Sequence, residues 1–308
     1  MNHNIMNNQD DLIEIEKLFK LFWEKKLWII SITFLSALLS VLIALSIPNT
    51  YTSKGLLAST QDDSTFSQMS NMSSIASLAG FNIPKTTQSK TQEAKERIKS
   101  FDFFKNYFLP NIKLENLMAV QKWVAKENII VYDDSIFNSN NKKWVENSVN
   151  SKSFMPSLQE SYKTYINSLS INEDEKTGFI TLAINHSSPY IAKTWVDIII
   201  ENINESMREL DKEKAQNSII FLSDSSRSTN VQSIKEAISR LLESQMQKLM
   251  LASSEDAYIF KVLDSPIAPE IKSSPSRALI CITITFLGLI LSLILLVIIY
   301  FKEILKPN

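Results

Sequence analysis

The chain has 308 residues, 32 Lys and Arg against 33 Asp and Glu, and a formal net charge of −1, which is not the basic excess that nucleic-acid binding requires. Its four glycines, Gly55, Gly80, Gly178 and Gly288, stand too far apart to write a P-loop or a GxGxxG turn, so the usual nucleotide cradles are excluded. The single cysteine, Cys281, forbids an intramolecular disulfide, and the distant His3 and His186 lack zinc-site spacing. No catalytic, cofactor or metal constellation is expected.

Within residues 1–26, Ile15, Leu18, Phe19, Phe22 and Trp23 recur at helical spacing with Lys20, Glu24 and Lys25 between them. That pattern predicts an amphipathic helix lying at a membrane interface. Residues 27–47 follow without a charge, and residues 278–301 repeat the pattern near the other end. Each run is long enough to cross a hydrocarbon core of about 30 Å at about 1.5 Å per residue. Asp10, Asp11, Glu14, Glu16 and Glu24 before the first run argue for an uncleaved anchor rather than a signal peptide. Lys17, Lys20, Lys25 and Lys26 before the first span, with Lys302 and Lys306 after the second, place both termini in the cytoplasm. The expected order is a cytoplasmic or interfacial segment (1–26), a first span (27–47), a central α+β domain across the membrane (48–277), a second span (278–301) and a short cytoplasmic tail (302–308).

Small residues share one helical face in each span: Ser36, Ser40 and Ala44 in the first, Cys281, Thr285, Gly288 and Ser292 in the second. Such faces let helix backbones approach closely. They suit packing of the spans, within one chain or between protomers, or docking of another membrane protein.

In the central domain, residues 51–58 predict a strand and the polar stretch 61–92 a mobile loop with a helical turn at 75–79. Ile98, Phe101, Phe104 and Phe108 predict one helix over 93–108, stopped by Pro110. A short helix is expected near 115–126, with the rest of 111–157 left open. Residues 169–172 and 178–186 then read as a hairpin, because Ile180, Leu182 and Ile184 alternate with Thr181, Ala183 and Asn185. Glu173-Asp174-Glu175 reads as its solvated turn, and His186 as a hydrogen-bonded cap to the next helix. Ser188 and Pro189 start that helix as N-cap and first residue. Ala192, Val196, Ile199, Ile203, Met207 and Leu210 follow as a narrow apolar seam. The helix is expected to reach Leu222, to turn through 223–230 and to return in a second helix from Val231, forming a long extended hairpin. Val196, Ile199, Ile203 and Met207 are expected to join protomers in a homo-oligomer. Residues 258–264 predict a strand, and Pro266, Pro269 and Pro275 with Arg277 an extended, stiff junction into the second span.

The segment Ile15-Glu16-Lys17-Leu18-Phe19-Lys20-Leu21-Phe22-Trp23-Glu24-Lys25-Lys26, the following span and Pro48…Tyr51-Thr52-Ser53-Lys54 resemble the start of Wzz-type chain-length determinants, the polysaccharide co-polymerases. The proline segment resembles their exit, and Ile184-Asn185-His186-Ser187-Ser188-Pro189-Tyr190-Ile191-Ala192 and Gln247-Lys248-Leu249-Met250-Leu251-Ala252 are similar to stretches between. Residues 61–92 and 111–163 match poorly, and Ser276 stands where a lysine-bearing pattern is expected, although Arg277 keeps the charge. The lack of Walker residues points to the kinase-free branch. The resemblance implies a two-pass bacterial inner-membrane protein whose periplasmic domain forms a ring or bell of identical copies. It also implies control of O-antigen or related polysaccharide length with a Wzy-type polymerase and the growing polysaccharide as partners, without catalysis, cofactor or nucleotide. The alternatives are a membrane component of an exopolysaccharide or capsule export system with a separate tyrosine kinase, a two-span sensor ectodomain, and an enzyme.

Overall fold

The computed structural model describes residues 23–60, 90–147, 152–153, 155–254 and 257–304. The predicted interfacial helix before Trp23 and the predicted loop 61–89 lie outside them. Contacts divide the chain into two units, one made of residues 1–49 and 273–308, the other of residues 50–272. The first unit contains α1 (Lys26–Ser46), an uninterrupted apolar helix that ends before Pro48.

The central unit begins with β1 (Tyr51–Ser59). After the undescribed stretch comes α2 (Lys90–Ile98), so the helix starts before the expected Glu93. The single helix expected over 93–108 is broken. Ser100 leaves helical geometry, caps the Phe103 amide and starts α3 (Phe101–Phe103). The chain then widens into a π turn (Phe104–Phe108) and tightens into a 3-10 turn (Leu109–Asn111) that holds Pro110. The break turns Phe103, Phe104 and Phe108 into the core together. α4 (Leu114–Met118) is shorter than expected, because β2 (Val120–Val124) pairs with β3 (Ile129–Tyr132) where a helix to Lys126 was predicted. The β-branched Val120 and Val124 and the aromatic Trp123 suit a strand, and Asn128 supplies the left-handed residue of the turn at φ 51°. Two small ladders follow, β4 (Phe137–Asn138) with β5 (Lys143–Trp144) and β6 (Glu146–Asn147) with β7 (Lys152–Ser153). A Ser157–Glu160 capping box then opens α5 (Leu158–Ser168).

The expected hairpin is present as β8 (Leu169–Glu173) and β9 (Ile180–His186), with Leu169 opposite Ile184 and Glu173 opposite Ile180. Its turn is held by the Asp174 carboxylate, which accepts from the amides of Lys176 and Thr177, and by Gly178 at φ 68°. Ser188 caps α6 (Pro189–Ser228), with proline in the first turn as expected. This helix runs six residues beyond the expected Leu222. Its terminal serines stay helical by donating back to earlier carbonyls, as Ser225 does to Phe221 and Ser228 to Ser225. α7 (Gln232–Ser254) packs against α6, and β10 (Phe260–Asp264) closes a four-stranded antiparallel sheet in the order β10-β1-β9-β8. In the first unit, α8 (Arg277–Ile304) ends the described chain. The molecule thus combines a mixed helix and sheet unit with two apolar terminal helices.

One face of α6 covers the sheet and is the centre of the core. Ala192, Trp195, Val196, Ile199, Ile203 and Met207 are buried with Leu57, Leu182, Ile184, Phe108 and Phe260. Val196, Ile199 and Ile203 are 0% exposed and Met207 1%. They have no surface to offer a second copy, and the expected oligomer seam is corrected to a core stripe: the chain's own sheet covers it. Gly55 permits the close approach, since a Cβ there would meet Ile200 at 3.2 Å and Val196 at 3.4 Å.

Asn204 lies within this stripe and is also buried. Its side-chain carbonyl accepts from the amides of Ile259 (2.8 Å) and Phe260 (2.9 Å), and its Nδ2 donates to the Phe260 carbonyl at 3.0 Å. The start of β10 is therefore bolted to α6 at one register. Past Ala215 no residue of α6 is buried, and Ile220 and Phe221 are exposed. Ile203→Ala should destabilise the domain by about 2–5 kcal/mol in denaturant titration, the range for cavities in packed cores. The loss should be independent of protein concentration, as a core position requires and an interface position does not.

Candidate functional site

The small-residue faces of the terminal helices meet. Ser40, Ala44 and Ser292 are buried, and α1 packs along α8. A Cβ on Gly288 would fall 2.1 Å from the Ser36 hydroxyl oxygen and 2.4 Å from its Cβ. Glycine is thus required at the crossing. The serines spend their hydroxyls inside their own helices: Ser36 donates to Thr33, Ser40 to Ala37 and Ser292 to Leu289. What they present to the neighbour is small volume. Cys281 and Thr285 are half-buried on the same helix. The outer flanks, including Phe34, Leu35, Leu42, Ile282, Phe286 and Leu291, are exposed. Apolar surface of that extent suits lipid better than water. Both helices have the length and hydropathy to cross a membrane.

At the proline-rich junction, Pro266 is buried beside Gly55 and β1, and the Ser53 hydroxyl donates to the Ile267 carbonyl at 2.7 Å. The exit chain therefore continues along β1 beyond the end of β10. Pro269 is half-buried, and Pro275 is buried in the terminal unit. There Arg277 begins α8 and donates to the Asn49 side-chain carbonyl at 3.1 Å. The structure does not gather the predicted residues at one place: the stripe lies in the core of the central unit, the small-residue faces in the terminal unit, and the prolines are shared between the two.

Two polar arrangements were not legible as sites in the sequence. His186 closes β9; its Nδ1 accepts from the Ser188 amide at 2.9 Å, and its Nε2–H donates to the Asn116 carbonyl at 2.8 Å. The ring also packs edge-on against Trp195 at 4.8 Å. The cap read from the sequence is real, and it reaches 70 residues back to tie α4 to the start of α6. Burial holds the imidazole pKa below its ordinary value. The second arrangement joins α2, α6, α7 and the approach to β10. Lys90 pairs with Asp211, Tyr258 O–H donates to Asp211 at 2.6 Å, and the Lys90 ammonium lies 5.7 Å from the centre of the Tyr258 ring. Burial, then the nearby Lys90 charge, holds the Lys248 pKa below the usual lysine range, while burial and the hydrogen bond to Asp211 push the Tyr258 phenol up. Among the described residues no group of three or more His, Cys, Asp or Glu is placed to hold a metal ion. The arrangements clasp elements together, and neither pairs a nucleophile with a base.

Residues 11–108 match the family described as Wzz, chain length determinant protein. The resemblance carried by the interfacial segment, the first span and the start of β1 falls inside that match. No curated protein matches this chain. Among solved structures, a full-length bacterial polysaccharide co-polymerase is similar at 12% identity and a TM-score of 0.39, over 94% of this chain and 98% of the other. A fragment of WzzB, a polysaccharide co-polymerase from Salmonella Typhimurium, is similar at 14% identity and a TM-score of 0.27, over 73% of this chain and 100% of the other.

The geometry of His186 predicts an acid-sensitive domain. Its pKa is lowered in the fold, so the unfolded chain binds the proton more readily. Stability from the neutral ring is complete above the unfolded value of about 6.5 and is lost as pH falls through it toward the folded value. Thermal unfolding should therefore shift downward across that window. His186→Gln should flatten the shift, because His3 is the other histidine in the chain.

Proposed function

From a chain whose residues 11–108 carry the Wzz match, we propose a two-pass inner-membrane regulator of polysaccharide chain length. That family match carries the reading, and the two apolar terminal helices agree with it. Members of the family regulate length rather than make bonds, which fits a chain whose polar clusters serve as clasps. In the finer form of the proposal both termini are cytoplasmic and the central unit is periplasmic, where α6 and α7 form an extended hairpin. The protein scaffolds a Wzy-type polymerase acting on O-antigen or a related surface polysaccharide.

Self-association in this proposal uses the part of the helix pair that outgrows the core. Ile220 and Phe221 on α6 and Met246, Met250 and Leu251 on α7 are exposed apolar side chains beyond or beside the end of the core stripe. A second copy could cover them without opening the stripe at Val196–Met207. The junction at Pro266, Pro269 and Pro275 sets how the base is mounted on the second span, because each proline restricts backbone freedom. The small-residue faces bring the spans together and leave their apolar flanks for lipid or for the polymerase.

Deletion of the gene should remove modal length from the surface polysaccharide resolved on a gel. Replacing all three prolines by alanine should leave insertion intact and broaden or shorten the length distribution at normal protein level. Gly288→Leu, which opens the α1–α8 crossing, should alter length from the membrane side. A stable, inserted proline triple variant with the wild-type distribution would make the junction a passive linker.

A further inference from the structure

Three aromatic side chains from separate parts of the chain meet at one end of the sheet. Trp123 of β2 lies 5.3 Å from Tyr51, the first residue of β1, with the rings at 82°. It lies 6.2 Å from Tyr190, in the first turn of α6. Tyr51 is paired with His186, the last residue of β9, so β1 begins, β9 ends and α6 starts at this one edge. The exit chain arrives there as well, held by the hydrogen bond from Ser53 to Ile267.

This edge shows water large apolar side chains among charged ones, with Glu270 exposed between Ile267 and Ile271. Tyr190 is 53% exposed, Ile267 69% and Ile271 81%. Trp123 and Tyr51 are half-buried, and Trp123 Nε1 donates to the Asn128 side-chain carbonyl, which satisfies its polar end. The same β2–β3 hairpin exposes Lys122, Lys126 and Glu127.

Chain connectivity identifies the neighbour. Tyr51 follows the last residue of α1 by five positions, and Lys272 precedes the first residue of α8 by five. At about 3.4 Å per residue, neither connection can exceed roughly 17 Å. An edge tethered twice at so short a range to membrane-spanning helices lies within reach of the headgroup layer. Trp and Tyr, with an apolar ring and one polar atom, are the side chains that favour that layer, and lysine adds attraction to anionic lipid.

We propose that Tyr51, Trp123, Tyr190, Ile267 and Ile271 form a bilayer-seating surface, by which the central domain rests on the lipid interface rather than hanging from its two connections. This inference rests on the two-span reading and adds a membrane contact that the spans do not require. It explains why β2 and β3, which among the described residues pair only with each other, place their one tryptophan against the first residue of β1. Seating would also limit tilting of the domain about its two short connections.

The test uses the full chain in vesicles of phosphatidylethanolamine and phosphatidylglycerol, with or without phospholipid brominated near the headgroup end of the acyl chain. Subtracting the emission of Trp123→Phe from that of the wild type isolates Trp123, and what remains in the variant includes Trp23 just before the first span and Trp28 within its first turn. The Trp123 signal should lose about half its intensity in brominated vesicles, and Tyr190→Ser with Ile267→Ser should relieve that loss while circular dichroism stays unchanged. A Trp123 signal indifferent to bromine, with the remaining emission quenched, would overturn the seating surface and leave the spans in place. No quenching of either signal would overturn the two-span reading together with it. A Trp123 signal that ignores bromine but responds to added oligosaccharide would replace lipid by carbohydrate as the occupant and overturn the proposal.

Discussion

The dehydrated face of α6 is the constraint on which the central domain depends. Trp195, Val196, Ile199, Ile203 and Met207 each contribute on the order of 1.5–3 kcal/mol by leaving water, and they do so against the sheet and the phenylalanines of the 98–108 segment. Asn204 supplies direction where apolar contact alone supplies attraction. A buried amide with three hydrogen bonds tolerates no slip of β10, because a slip would strand donors and acceptors away from water. The consequences spread outward. β10 in register beside β1 sends the exit chain along β1, and the exit chain then returns to the edge where β1 began.

This arrangement separates the work of one long helix into two parts. Up to Ala215 its apolar face is consumed by the domain's own core, and past that point the exposed Ile220 and Phe221 remain available. The terminal helices show the same economy, with small residues turned inward at Ser36 and Gly288 and large apolar residues left outside. Recognition surfaces in the proposed function are therefore the surplus, never the core stripe.

Local signals in the sequence were legible where one chemistry had one structural outcome. Alternation over 180–185 reports a strand with a buried face, and Ser188-Pro189 reports a helix start. The seam from Ala192 to Met207 was equally legible as a stripe, but periodicity does not say whether a sheet of the same chain or a helix of another copy covers it. Ser100 hid inside the apolar spacing from Ile98 to Phe108, because a break that keeps phenylalanines on the core side leaves their pattern intact. Residues 223–230 read as a turn by composition, yet hydroxyls that bond to earlier carbonyls extend α6 to Ser228, and the chain turns only after it. The contacts His186–Asn116, Asn204–Phe260 and Trp123–Tyr51 span large separations in sequence, and no local pattern announces which polar or aromatic residue will find which partner.

Hydrogen exchange on the full chain, measured at dilute and concentrated protein, tests the central claim most directly. If the stripe is core, amides from Trp195 to Met207 exchange slowest and equally at both concentrations, while those beyond Ala215 exchange faster and gain protection as copies associate. Protection of residues 195–207 that appears only at high concentration would contradict the account, because the stripe would then be covered by another copy and not by the sheet of its own chain.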